Sequence, residues 1–166
     1  MKQAFPGMLA LALAATGLAG CGSEEVEQEV PSWVDPEAPA GIEVSEGRLM
    51  LPAVSGNPAA IYFTLRNGGE SDQTVSSVFV SGAQMASIHE TTSEGRMTSM
   101  QDAPAVLVPA GETTEFAPGG LHVMAMQVSE ALEDGGETEV TLTFASGDKV
   151  SFPVEITAPG LAGESS

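Results

Sequence analysis

The sequence predicts an all-β domain over residues 41–156, an antiparallel sandwich or barrel. Three observations carry this expectation. Short runs alternate apolar and polar residues with a period of two. Turns rich in Gly and Asn separate those runs. No helical period occurs after residue 20, apart from one possible turn at 129–134. A stretch of this length is enough for one core, so one domain is expected.

Taken in order, residues 1–20 hold a single Lys and an apolar run over 8–19. That is a signal-peptide pattern, too short to span a bilayer as a mature helix. It ends in Leu18, Ala19, Gly20 and Cys21, which resembles the bacterial lipobox, where the Cys becomes the lipidated first residue. An ordinary signal peptide beside an unrelated Cys is the plainer alternative. The chain's only cysteine falling just after the apolar run favours lipidation of Cys21. Gly22, rather than Asp, follows it. By resemblance to Gram-negative sorting, the protein is then anchored on the periplasmic side of the envelope, in the outer rather than the inner membrane. Residues 21–40 carry the lipidated Cys and then an acidic, Pro-bearing flexible tether. Trp33 is its one large apolar residue; it either docks on the domain or touches headgroups.

Within the domain, Ile61, Phe63 and Leu65 alternate inward and Asn67, Gly68 and Gly69 mark a turn. Residues 75–80 are apolar and β-branched. Residues 86–89 read as a strand ending at His89, and the polar stretch 90–96 reads as a loop. Residues 121–128 form another strand. Val140, Leu142 and Phe144 face inward from 138–144, a turn at 146–148 follows, and Val150, Phe152, Val154 and Ile156 return to the core. Residues 157–166 read as a disordered tail.

Composition narrows the function. The formal net charge is −18, which argues against nucleic-acid binding and against an anionic membrane surface. It suits cations and basic protein patches, although most of these carboxylates serve solubility. With one Cys there is no disulfide framework. Nor is there a thiolate for a zinc site, a thiol oxidoreductase or a blue-copper centre.

Residues 89–124 hold both histidines and three of the eight methionines. On a strand, His122 and Met124 point to the same face. Pro118, Gly119 and Gly120 make a tight turn before them, which places the pair at the rim. His89 precedes the expected loop and Met100 follows it, so the loop would bring them together. Met97 should point away from Met100, and Met126 should lie in the core below Met124. Two imidazoles and two thioethers without a thiolate suit Cu(I). Cu(II) would need water or a carboxylate such as Glu90.

The order is His89, ten residues, Met100, twenty-one residues, His122, one residue, Met124. Four such positions match by chance roughly 4 times in 100,000, so they are read as one constellation. This spacing resembles the metal-binding pattern of the PCuAC-type periplasmic copper chaperone family. The surroundings are similar too: IHET at 88–91, PAGE at 109–112, PGGLHVM at 118–124, and AAIYFTLRNGGESD at 59–72 with Asn67 and Asp72. Family members often carry a Met directly after the first His; Glu90 stands there instead. The resemblance implies a cupredoxin-like Greek-key antiparallel β-sandwich. It also implies Cu(I) bound by His89, Met100, His122 and Met124. Delivery would go to a copper-accepting partner: a cytochrome oxidase subunit during assembly of its copper centres, or a thioredoxin-fold copper-delivery protein.

Two other readings remain. One is a passive copper buffer that serves tolerance. The other is a lipoprotein whose Met and His are structural, since Met commonly fills cores. Enzymatic activity is not expected, because no base–nucleophile pair is evident.

Overall fold

The clearest alternation builds the central strands. In β3 (Ala59–Asn67) the residues at odd positions are all buried. In β10 (Glu137–Phe144) and β11 (Lys149–Thr157) the seven inward residues from Val140 to Ile156 are each at most 2% exposed. These are the residues expected to face inward. The two strands form an antiparallel hairpin with Val140 opposite Phe152. The remaining strands are β1 (Ser32–Trp33), β2 (Ile42–Met50), β4 (Gln73–Val80), β5 (Ala83–Glu94), β6 (Met97–Asp102), β7 (Val106–Val108), β8 (Thr113–Phe116) and β9 (Leu121–Val128).

The structure, a computed structural model, describes residues 32–33, 38–95 and 97–158. The expected signal peptide, Cys21, most of the expected tether and the end of the expected tail lie outside the described residues. Pairing follows one path, β6-β5-β9-β8-β3-β2-β11-β10-β4-β7, with β9 also paired to β3 and β1 to β2. It is antiparallel except for β11 with β2 and β8 with β9. The path folds over itself, so that β4 packs on β5 and β7 on β3 without pairing to them. The result is a β-sandwich, as expected. Phe63 lies at its centre, stacked on Phe116 at 4.2 Å and tilted against Phe152 at 5.1 Å between ring centroids. Each such buried side chain contributes about 1.5–3 kcal/mol.

Asn67 and Asp72 hold loops in place. The fully buried Asn67 donates from Nδ2 to the carbonyls of Ser71 and Val108 at 2.9 and 3.0 Å. Asp72 Oδ1 accepts from the Ala110 N–H at 3.0 Å.

One expectation changes, and one alternative left open by the sequence, the docking of Trp33, is met. Residues 90–96 are not a loop: β5 continues to Glu94 and β6 begins at Met97, with the turn at Gly95, whose φ is 63°. Glu90, Thr91, Thr92 and Ser93 pair with Gln101, Met100, Ser99 and Thr98. All of β6 is exposed, so this edge hairpin has little need of an apolar face and shows no alternation to read. The stretch read as a tether also touches the domain. Ser32 and Trp33 pair with Ser45 and Val44, and Ala38 packs on the core.

Candidate metal centre

A tight turn sets the start of β9. Gly119 has φ 84°, a conformation that favours glycine, and the Gly120 N–H donates to the Ala117 carbonyl at 3.1 Å. Strand alternation then places His122, Met124 and Met126 on one face, while Val123 and Ala125 are buried on the other.

β5 pairs antiparallel with β9 so that His89 stands directly opposite His122. Their ring centroids are 6.0 Å apart, with 27° between the ring planes. Residues directly opposite share a face, and diagonal neighbours lie roughly 7–8 Å apart, within reach of long side chains. Met124 is opposite Ser87, one rung along. On the other side of β5, Asp102 is opposite His89 and Met100 is opposite Thr91. His89 is therefore the hub: beside His122 and Asp102, and diagonal to both Met100 and Met124. The structure brings the two imidazoles into ring contact and sets the two thioethers on the flanking rungs.

The donors differ in exposure. His122 is 6% exposed, more enclosed than a rim position suggests, whereas Met100 is 54% exposed. His89 and Met124 lie between. Met97 is 75% exposed and, three residues before Met100, faces the other way.

Hydrogen bonds orient both rings. The Gly120 carbonyl accepts from His122 Nδ1 at 3.0 Å, which leaves the lone pair on Nε2. His89 Nδ1 lies 3.3 Å from Asp102 Oδ1, and its Nε2 shares a 2.8 Å hydrogen bond with Ser87 Oγ. With the proton on Nδ1, directed at Asp102, Nε2 accepts from a hydroxyl that can rotate away. A backbone carbonyl or carboxylate behind a ligating His fixes its ring in this way. Among the described residues no three His, Cys, Asp or Glu cluster to hold a metal, and two thioethers stand on the rungs beside the imidazole pair.

Sequence reasoning missed Asp102 and Ser87. Asp102 is two residues after Met100 and Ser87 two before His89, so period two places both on the ligand face once 90–102 is read as a hairpin. Glu90, the carboxylate weighed for Cu(II), is opposite Leu121 and Gln101, off the face of the histidines. Met126 is not core either. It is partly exposed and does not pack on the buried cluster. It lines a cavity of about 620 Å³ with Ser77, Ser87, His89, Asp102 and Met124.

Residues 42–156 match the family described as "Putative lipoprotein LpqE-like". A relative named "Putative lipoprotein Lxx21020", from Leifsonia xyli subsp. xyli (strain CTCB07), is 30% identical over 142 residues, spanning 84% of this chain and 82% of that protein. Among solved structures, the apo PCuAC domain from PmoF1 is 28% identical with a TM-score of 0.60, over 72% of this chain and 95% of that one. The copper-bound PCuAC domain from PmoF2 is 20% identical with a TM-score of 0.64, over 78% and 99%. The Cu(I) form of DR1885 from Deinococcus radiodurans is 23% identical with a TM-score of 0.56, over 67% and 74%. The last two establish likeness of fold: the cupredoxin-like β-sandwich of PCuAC domains.

Proposed function

Because the chain belongs to the LpqE-like lipoprotein family and has the fold of PCuAC domains, we propose that it is an extracytoplasmic carrier of Cu(I). One observation carries this reading: His89 and His122 stand side by side at 6.0 Å with a thioether on each flanking rung of the same face. Soft sulfur selects Cu(I), and imidazole accepts it. The donors are Nε2 of His89 and His122 and the sulfurs of Met124 and Met100. The names of the copper-bound PmoF2 domain and the Cu(I) form of DR1885 support copper as the cargo.

Release follows from the exposure gradient. His122 is enclosed and Met100 projects into solvent, so an acceptor's ligands approach from the Met100 side and replace the weak thioether first. The acceptor is a copper-accepting protein: a cytochrome oxidase subunit during assembly of its copper centres, or a thioredoxin-fold delivery protein. The protein catalyses no covalent reaction and binds no nucleic acid. Lipidated Cys21 and the segment up to residue 40 hold the domain on the periplasmic side of the envelope, at the outer rather than the inner membrane. The family's lipoprotein description supports the anchor.

Anaerobic titration with Cu(I) against a competing chelator should show tight binding of a first equivalent. No binding above the chelator's would overturn the carrier reading. Mixing the loaded protein with a metal-free acceptor domain separates delivery, seen as transfer, from buffering, seen as retention. Cys21→Ser should move the protein from the membrane fraction to the soluble one; equal partition of both forms would remove the anchor.

A further inference from the structure

The ligand face does not stop at the imidazoles. Two rungs from the His89–His122 pair, Met85 stands directly opposite Met126, and Met124 lies between the two rungs on β9. The fold makes little use of these sulfurs. Met85 is 57% exposed, and neither Met124 nor Met126 packs against the core cluster. Core gap-filling is the ordinary use of Met, and it does not account for them. Met124 and Met126 line the same cavity of about 620 Å³ as His89. Next to Met126, Gln127 takes φ 53°, a left-handed conformation uncommon outside glycine.

We infer that Met85, Met126 and Met124 form a second, thioether-only site for Cu(I). It serves as a station from which the ion reaches the imidazole pair, with Met124 as the shared ligand. The inference rests on the copper reading of the His–Met row. The spacing suits it: opposite residues have Cβ atoms about 4.5–5.5 Å apart, and one rung along a strand is roughly 6.6–6.8 Å. Met has three rotatable side-chain bonds to close that gap. The move is a ligand exchange. The metal stays Cu(I), one thioether leaves as one imidazole nitrogen arrives, and no electron changes hands. Thioethers without imidazole hold the ion less tightly, which sets the direction of the step towards the histidines.

The test is anaerobic Cu(I) titration of the full chain against two chelators of different strength. Wild type should take up a second equivalent, held by Met85 and Met126 while Met124 stays with the imidazoles, at least about tenfold more weakly than the first. Met85→Leu/Met126→Leu, a volume-conserving change at partly exposed positions, should lose the second equivalent and keep the first within about threefold. X-ray absorption of His89→Ala/His122→Ala loaded with one equivalent should show sulfur as the only protein donor. A single equivalent in wild type, or an unchanged second equivalent in the methionine double variant, overturns the second site. Loss of the first equivalent from wild type would instead overturn the carrier reading, so the two failures are distinguishable.

Discussion

The hairpins β10–β11 and β5–β6 obey the same pairing rules to different ends. Along β10–β11 every inward residue from Val140 to Ile156 is buried, and the outward ones are Thr, Ser, Glu, Pro and Lys. Along β5–β6, among the described residues, only Ile88 is fully buried, with Ala83 and Ala86 packed against the core, and all six residues of β6 are exposed. Among the described residues, three of the six most exposed large apolar side chains are Met85, Met97 and Met100, all on this second hairpin. One hairpin uses alternation to hold the fold together. The other uses it to set out the proposed copper donors on a face that the fold uses little. Binding and stability should therefore separate cleanly by mutation.

The largest effect is expected on the stability side. Leu142→Ala should cost about 3 kcal/mol, read from the denaturant midpoint, because it opens a cavity in the packed core. Cu(I) affinity of the folded fraction should not change. A matching loss of affinity would mean that the two regions are coupled. Next comes His122→Ala. It should weaken Cu(I) at least about a hundredfold, roughly 2.7 kcal/mol of binding. Losing the hydrogen bond to the Gly120 carbonyl should cost about 1 kcal/mol of stability.

Met100→Leu and Met124→Leu should each weaken Cu(I) about tenfold. Each should change stability by less than about 1.5 kcal/mol, since Leu conserves volume. Equal affinity in both variants would return the methionines to a purely structural role. Asp102→Ala should have the smallest effect, a loss of up to about tenfold in affinity, because the carboxylate stands behind His89. Asp102→Asn keeps an oxygen acceptor and should recover most of that loss. A chelator competition series on these variants measures both.

The same contrast explains which parts could be read from the residues alone. β3, β10 and β11 announce themselves because burial on one face forces alternation. β9 was visible because its glycine turn marks its start and His122 and Met124 stand two apart, but its inner face was not, since Met126 was expected in the core. The hairpin β5–β6 was half hidden: with no face to bury, Glu90, Thr91, Thr92 and Ser93 look like a loop. That misreading concealed Asp102 beside His89, because its place depends on knowing which strand lies opposite. Register is set by pairing across the sheet, and no local pattern encodes it when the outer face is polar. His122 is also more enclosed than its position after the turn implies.

The most direct test of the central claim, that one donor face binds Cu(I) apart from the core, is thermal unfolding with and without Cu(I). A ligand bound only by the folded state adds about 2.7 kcal/mol at a hundredfold excess over Kd, which for a domain of this size is a rise in Tm of roughly 10 °C. Wild type should show that rise. His89→Ala/His122→Ala should melt roughly 4 °C or more below wild type without metal, as the lost His122 hydrogen bond requires, and show little or no rise with it. An equal rise in both proteins, or none in wild type, would contradict the account.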